Sequence, residues 1–169
     1  MSEDFRQDWL SERVAQLVCV FGAIERERMF DVPVLNRALA VEAMGFEPHD
    51  DERDEEVREG ALGVLLTPWF MNLVWLPRDT NVGLDNEVRA LGSERLSFMV
   101  ANEAGIGPYQ MCSLFSPVFE FESQEAARAT ALEVLRILRT EPEPPPAPAT
   151  VEAPSRRAFL TGRFGGSGA

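Results

Sequence analysis

Residue types that commonly carry out catalysis are scarce in this chain. Its one histidine, His49, stands at the edge of an acidic run from Asp50 to Glu56. A solvated loop is the usual setting for such a run, and its carboxylates stay hydrated rather than forming a general acid–base pair. The acidic run therefore predicts a mobile, charged surface segment and no catalytic site.

The cysteines do not predict a metal centre either. Cys19 and Cys112 are the only two, and neither belongs to a Cys-x-x-Cys pair, so no zinc site, redox dithiol or other cofactor is expected. There is also no P-loop and no Gly-x-Ser-x-Gly motif. Cys112 is expected to be a small buried hydrophobe in a strand. A redox or metallation role for Cys112 is the alternative from the enzyme class.

One recognisable motif lies near the end of the chain, at Ser155-Arg-Arg-Ala-Phe-Leu160. Its serine, paired arginines, phenylalanine and leucine match the core of a twin-arginine export signal. Export signals stand at the N-terminus and continue into an apolar stretch, whereas this motif is followed by Thr161-Gly-Arg-Phe-Gly-Gly. We interpret it as a mimic of a signal, and a chance arginine pair on a tail is the alternative. The residues of this pseudo-signal are Ser155, Arg156, Arg157, Phe159 and Leu160.

The uncharged run from Gly63 to Pro77 is the most apolar part of the chain. It is shorter than the roughly 20 apolar residues that a membrane helix needs. Pro68 has no amide hydrogen to donate, so it is expected to divide the run into strands over 63–66 and 70–76. The run is either the centre of a sheet or a surface for an apolar partner. The candidate contact residues are Trp69, Phe70, Met71, Asn72 and Trp75.

Composition narrows the class of partner. The 169 residues suit one domain, and the net charge of −12 opposes binding to nucleic acid or anionic lipid and favours basic partners. The chain opens with an acidic segment instead of an export leader. We therefore expect a cytoplasmic protein.

Hydrophobic periodicity predicts an α+β fold. Apolar residues from Leu10 to Ile24 share one face of a helix, and those from Ala127 to Leu138 share a face of a second helix, which Ser123 would cap. Strand patterns lie between them, over 37–46, 95–101 and 109–114, and a helical turn is expected near Glu87. The prediction is a two-layer sandwich: an antiparallel sheet of about five strands, with the N- and C-terminal helices on one face, and a disordered C-terminal tail. The expected parts are a domain over 1–139, a Pro-rich linker over 140–154 and a tail over 155–169.

Three blocks in this order resemble one known family, the HybE-type assembly chaperones of nickel–iron hydrogenases. They are Thr67-Pro-Trp-Phe-Met-Asn-Leu73, Tyr109-Gln-Met-Cys-Ser-Leu-Phe-Ser-Pro117 with Phe119-Glu-Phe121, and Ser155-Arg-Arg-Ala-Phe-Leu160. The resemblance implies a chaperone and not an enzyme. Its implied partner is the hydrogenase small-subunit precursor, whose twin-arginine signal it would bind, delaying export until cofactor insertion and subunit assembly are complete.

The resemblance and the charge together lead to a docking hypothesis. Trp69, Phe70 and Met71 would contact the apolar part of the signal, and the acids from Asp50 to Glu56 would hold its arginines. The pseudo-signal would act as a tethered competitor for the same groove. The alternative function is a scaffold that contacts the large subunit or other maturation proteins without binding a signal.

Overall fold

A computed structural model describes residues 2–53 and 56–146 of the chain. Two helices bracket the described part, and eight strands lie between them. The helices are α1 (Ser2–Ile24), continued by a π-helical turn (Glu25–Met29), and α2 (Gln124–Arg139). The strands are β1 (Glu42–Pro48), β2 (Asp51–Arg53), β3 (Glu56–Arg58), β4 (Gly60–Leu66), β5 (Met71–Pro77), β6 (Glu87–Leu91), β7 (Glu94–Glu103) and β8 (Gly107–Phe115).

Six of these strands form one antiparallel sheet in the order β1-β4-β5-β8-β7-β6. The hairpin of β4 and β5 lies at its centre, and all of its strand residues are buried. The apolar run around Pro68 therefore does form two central strands, as its sequence predicts. The α+β class is confirmed, with six strands in the sheet where about five were expected.

The two helices lie on opposite faces of the sheet. Leu135 and Leu138 of α2 join the core cluster that contains Leu73 and Trp75 of β5. Leu17 and Phe21 of α1 join a second cluster, with the intervening β5 residues Val74 and Leu76. Alternate residues of a strand point to opposite faces, so the expectation of both helices on one face is wrong. Strands that are apolar on both sides need a cover on each.

The second helix is fixed at both ends. The Ser123 hydroxyl accepts a hydrogen bond from the amide of Ala126 at 3.1 Å, which confirms the expected N-cap. Near the other end, the Arg139 guanidinium donates to the carbonyl oxygens of Gly45 and Leu62 at 2.6 and 3.0 Å. These bonds hold α2 across β1 and β4.

Three local expectations are corrected by the structure. The acidic run contains β2, which pairs with β3 in a separate two-stranded ribbon, so it is not a simple loop. The strand expected over 37–46 begins only at Glu42. A helical turn expected near Glu87 is instead strand β6, because its pairing with β7 outweighs weak local propensity.

The domain is followed by an exposed segment without regular structure over 141–146. The remainder of the expected linker and the whole pseudo-signal, Ser155 to Leu160, lie outside the described residues. None of the described helices has the length and apolar character to cross a bilayer.

Candidate functional site

A tight turn at one end of the β4–β5 hairpin presents the two central aromatic residues of the apolar run. The buried Thr67 organises it: its amide donates to the carbonyl of Phe70 at 2.8 Å, and its hydroxyl accepts from the Phe70 amide at 3.0 Å. Pro68 and Trp69 occupy the middle of the turn. Trp69 and Phe70 are half-buried, so each keeps part of its ring at the surface.

These rings begin an aromatic row that borders α1. Edge-to-face contacts join Trp69 to Phe70, Phe70 to Phe21 and Phe21 to Tyr109, with centroid separations of 5.6, 5.8 and 6.4 Å. Burial, with the nearby Glu103 carboxylate, raises the pKa of Tyr109 to about 12, so its hydroxyl stays protonated at neutral pH. The row fixes the turn onto α1.

The other three candidate contact residues are inside the protein. Met71 and Trp75 are 0% exposed and Asn72 is 4% exposed, because β5 is covered on both faces. The Trp75 indole donates to the carbonyl of His49 at 2.8 Å. The expectation that Met71, Asn72 and Trp75 form a contact surface is therefore wrong. Trp69 and Phe70 remain the candidates from this run.

Sequence reasoning missed the residue that joins the turn to its neighbours, Asn36. Its backbone N–H donates to the carbonyl of Pro68 at 2.7 Å. Its side chain donates to the carbonyls of Val118 and Phe121 at 3.0 and 2.8 Å. The segments linked in this way carry three exposed large hydrophobic side chains. They are Phe30, Val34 and Phe119.

Beside the aromatic row, α1 leaves part of its side of β6, β7 and β8 exposed. Val88 and Met99 are 52% and 51% exposed there. Met99 pairs with the half-buried Met111, which adjoins the α1 cluster and so fixes the face on which they lie. Exposed Ser97 pairs with Val88. We call this uncharged surface the open shelf; its residues are Val88, Ser97, Met99, Met111 and Ser113.

An acidic cleft of about 460 Å³ lies along β6, the edge strand of the sheet. The side chains of Glu87 and Arg89 lie on the α2 side of β6 and that of Val88 on the shelf side, so the cleft and the open shelf adjoin across this strand. Four carboxylates line it against one guanidinium, that of Arg89, which is buried. Arg89 lies 2.5 Å from a Glu87 oxygen and 3.5 Å from an Asp51 oxygen, with its Cζ 4.5 Å from the Trp75 ring centroid. The residues that line the acidic cleft are His49, Asp50, Asp51, Glu52, Glu87, Val88, Arg89 and Ala90.

The acidic run and the aromatic turn lie at opposite ends of the sheet. Asp50 accepts a hydrogen bond from the amide of Gly60, where β4 starts, whereas Thr67 follows the end of β4. Seven strand residues separate these points by about 20 Å. The structure thus does not bring Trp69 next to the acids. Instead, the edge strand β6 borders the acidic cleft and carries Val88 of the open shelf.

The remaining candidates for chemistry have ordinary structural surroundings. Cys112 is buried, and burial raises the pKa of its thiol, which disfavours the reactive thiolate. Burial, with Arg89 and Arg139 nearby, lowers the pKa of His49, so its imidazole is neutral at pH 7. Within 2–53 and 56–146, no group of three or more potential ligands is arranged to hold a metal ion.

An apolar shelf, a partly exposed aromatic turn and an adjoining acidic cleft are features typical of proteins that bind other proteins, a class that includes assembly chaperones. The comparisons with known proteins agree with this class. Residues 12–162 match the family profile described as NiFe-hydrogenase assembly, chaperone, HybE. The chain belongs to this family of hydrogenase assembly chaperones, as the sequence resemblance implies, and its relatives are not named as enzymes.

Similar proteins come from several bacteria. Protein HoxT of Cupriavidus necator is 47% identical over 163 residues, covering 90% of this chain and 89% of that protein. The hydrogenase expression/formation protein HupT of Azotobacter chroococcum is 41% identical over 136 residues, covering 78% and 87%. The solution structure of HybE from Escherichia coli matches at a TM-score of 0.49 and 24% identity, covering 93% of each chain.

Proposed function

We propose that this chaperone binds the twin-arginine signal peptide of the nickel–iron hydrogenase small-subunit precursor. Binding would delay export until the cofactor is inserted and the subunits have assembled. The precursor carries its signal only before export, so the chaperone would act in the cytoplasm. The open shelf beside the acidic cleft is the observation that carries this proposal.

The order of the two surfaces suits the order of a signal peptide. Such a peptide has two arginines followed by an apolar segment. Guanidinium groups form strong paired hydrogen bonds with carboxylates, and the exposed carboxylates of Asp50 and Glu52 are at the mouth of the cleft. From there the peptide would cross the edge strand β6 at Val88, and its apolar segment would pass Met99 toward Phe70 and Trp69.

The dimensions are compatible with one continuous ligand. The seven residues of β4 correspond to about 20 Å between the two ends of the sheet. A helix rises 1.5 Å per residue, so about 14 apolar residues would span this length. Met99 and Met111 have flexible, polarisable side chains, which suits an apolar segment of variable sequence.

Titration calorimetry with the signal peptide tests the proposal. Trp69→Ala removes an exposed aromatic contact and should weaken binding about tenfold, a loss typical of a truncated interface tryptophan. Leu132→Ala is the control, because Leu132 is also exposed but lies on α2, on the other side of the sheet. A peptide with Arg-Arg replaced by Lys-Lys should also bind more weakly. Equal affinities of the unchanged chain, Trp69→Ala and Leu132→Ala for both peptides would contradict signal recognition.

A second candidate function is a scaffold for the large subunit or other maturation proteins. The outer face of α2 favours it, since Leu132 and Ile137 are exposed there at 48% and 46%, on the side of the sheet away from the open shelf. Co-purification with each subunit separately distinguishes the candidates. Capture of the large subunit alone, lost in Leu132→Glu but retained in Val88→Glu, would favour the scaffold.

A further inference from the structure

We propose that, without a client, the open shelf is occupied by the chain's own pseudo-signal, Ser155-Arg-Arg-Ala-Phe-Leu160. The occupant is thus a segment of this chain beyond the described residues. Its role as a competitor rests on the proposed function, whereas its docking does not.

The shelf is an incomplete layer of the fold. On the α2 side, β6 and β7 bury Leu91 and Phe98 in the core. On the α1 side, the helix covers β4 and β5 as far as Tyr109 on β8 and leaves Val88 and Met99 half exposed. An added apolar segment would lie beside α1 and bury these side chains, which is favourable in water.

The chain leaves α2 at the border of this shelf. A Cβ added to Gly92, in the β6–β7 turn, would lie 2.9 Å from the carbonyl oxygen of Thr140, so the turn and the end of α2 are in close contact. Beyond it, Glu141 and Pro142 line a cleft of about 360 Å³ together with Ser93. The chain therefore passes the turn that connects the two outer strands of the shelf.

The length of the remaining chain is sufficient. Eight residues lie between Pro146, the last described residue, and Ser155. These make nine residue steps of about 3.3 Å each in an extended chain, or roughly 30 Å in all. From Ser93 to Met99 along β7 is about 20 Å. The linker is thus long enough for the motif to reach the shelf from the β6–β7 turn.

The chemistry of the motif matches the surfaces within reach. Phe159 and Leu160 are apolar, as are Val88 and Met99 of the shelf, while Arg156 and Arg157 would meet the carboxylates of the adjoining acidic cleft. A short tether gives an effective concentration in the millimolar range. Weak docking would then exclude weak ligands, and a stronger-binding signal would displace the tail.

Methionine methyl spectra of the full-length chain test the docking without any client. The six methionines include shelf residues Met99 and Met111 and the buried internal references Met44 and Met71. The double change Phe159→Ser and Leu160→Ser should shift the Met99 and Met111 methyl signals and leave the two references in place. Phe164→Ser, outside the motif, is the matched control and should shift none of them.

The outcomes separate this inference from the proposed function. Unchanged Met99 and Met111 signals in the double variant would overturn tail docking, whatever the signal peptide does. Signals that move with protein concentration would overturn docking within one chain and indicate a second copy instead. If the tail docks but no signal peptide competes for the shelf, the proposed function fails and the docking stands.

Discussion

His49 shows how a single residue acquires its properties from its neighbours. Burial lowers its pKa below the usual 6.5, and the cations Arg89 and Arg139 add to this effect, while Asp51 and Asp50 oppose it. The unfolded chain therefore takes up a proton at His49 more readily than the folded chain. The stability that the neutral imidazole contributes is complete above pH 6.5 and is lost as the pH falls toward the folded-state pKa.

The prediction at the residue scale compares His49→Asn with the unchanged chain. Between pH 7.5 and 5.5, the free energy of unfolding should fall further for the unchanged chain than for the variant. The chain has one histidine, so carboxylate titration is common to both proteins and cancels in the difference. Urea denaturation at each pH measures the free energy of unfolding of both proteins. Parallel loss of stability in the two proteins would show that His49 has the same pKa folded and unfolded.

Residue types alone could not identify the whole site. Trp69 and Trp75 lie in the same apolar run, yet the first is in a turn and the second in a strand covered on both faces. Pro68 was the available signal for this difference, since it marks the turn. The exposure of Val88 depends on where α1 ends its coverage, which is a tertiary property without a local sequence pattern.

The turn between β4 and β5 depends on an element far from it in sequence. Asn36 joins it to the segment after β8 through three hydrogen bonds to carbonyl groups. Asn36→Ala would leave the carbonyls of Val118 and Phe121 without their donor, at a cost of about 1–3 kcal/mol. Trp69 would also lose part of its support.

The prediction at the element scale has two readouts. In urea denaturation, Asn36→Ala should be about 1–3 kcal/mol less stable than the unchanged chain, and the fluorescence of Trp69 should shift toward that of a more solvated indole. Asn81→Ala, at an exposed position, is the control and should change neither. A stable variant with unaltered fluorescence would mean that Asn36 does not position the turn.

Much of the element pattern follows from the sequence. The central hairpin, the cap at Ser123 and the buried face of α2 were predicted because strong local signals agree there with the fold. The face of the sheet that α1 covers was not predicted. An apolar strand pair needs cover on both faces, but its sequence does not specify which helix covers which face. Strand β6 was missed because the polar Glu87 and Arg89 alternate with Val88 and Ala90 in only five residues.

At the scale of the whole molecule, the net charge of −12 and the position of the open shelf both favour a cationic ligand with an apolar segment. On the proposed function, the negative field would attract a cationic peptide from a distance, and the acidic cleft along β6 would hold its arginines at one end of the apolar surface. Binding should therefore weaken as ionic strength rises. The central claim is that the arginine-binding and apolar-binding surfaces meet at Val88.

Affinity for the small-subunit signal peptide in Val88→Glu and Leu132→Glu tests this claim most directly. The two side chains are similarly exposed, at 52% and 48%, and Leu132 lies on the outer face of α2, away from the open shelf and the acidic cleft. Val88→Glu places a charge where the apolar segment would lie and should weaken binding by tenfold or more. Leu132→Glu should bind like the unchanged chain. Equal affinities for the two variants would contradict the account.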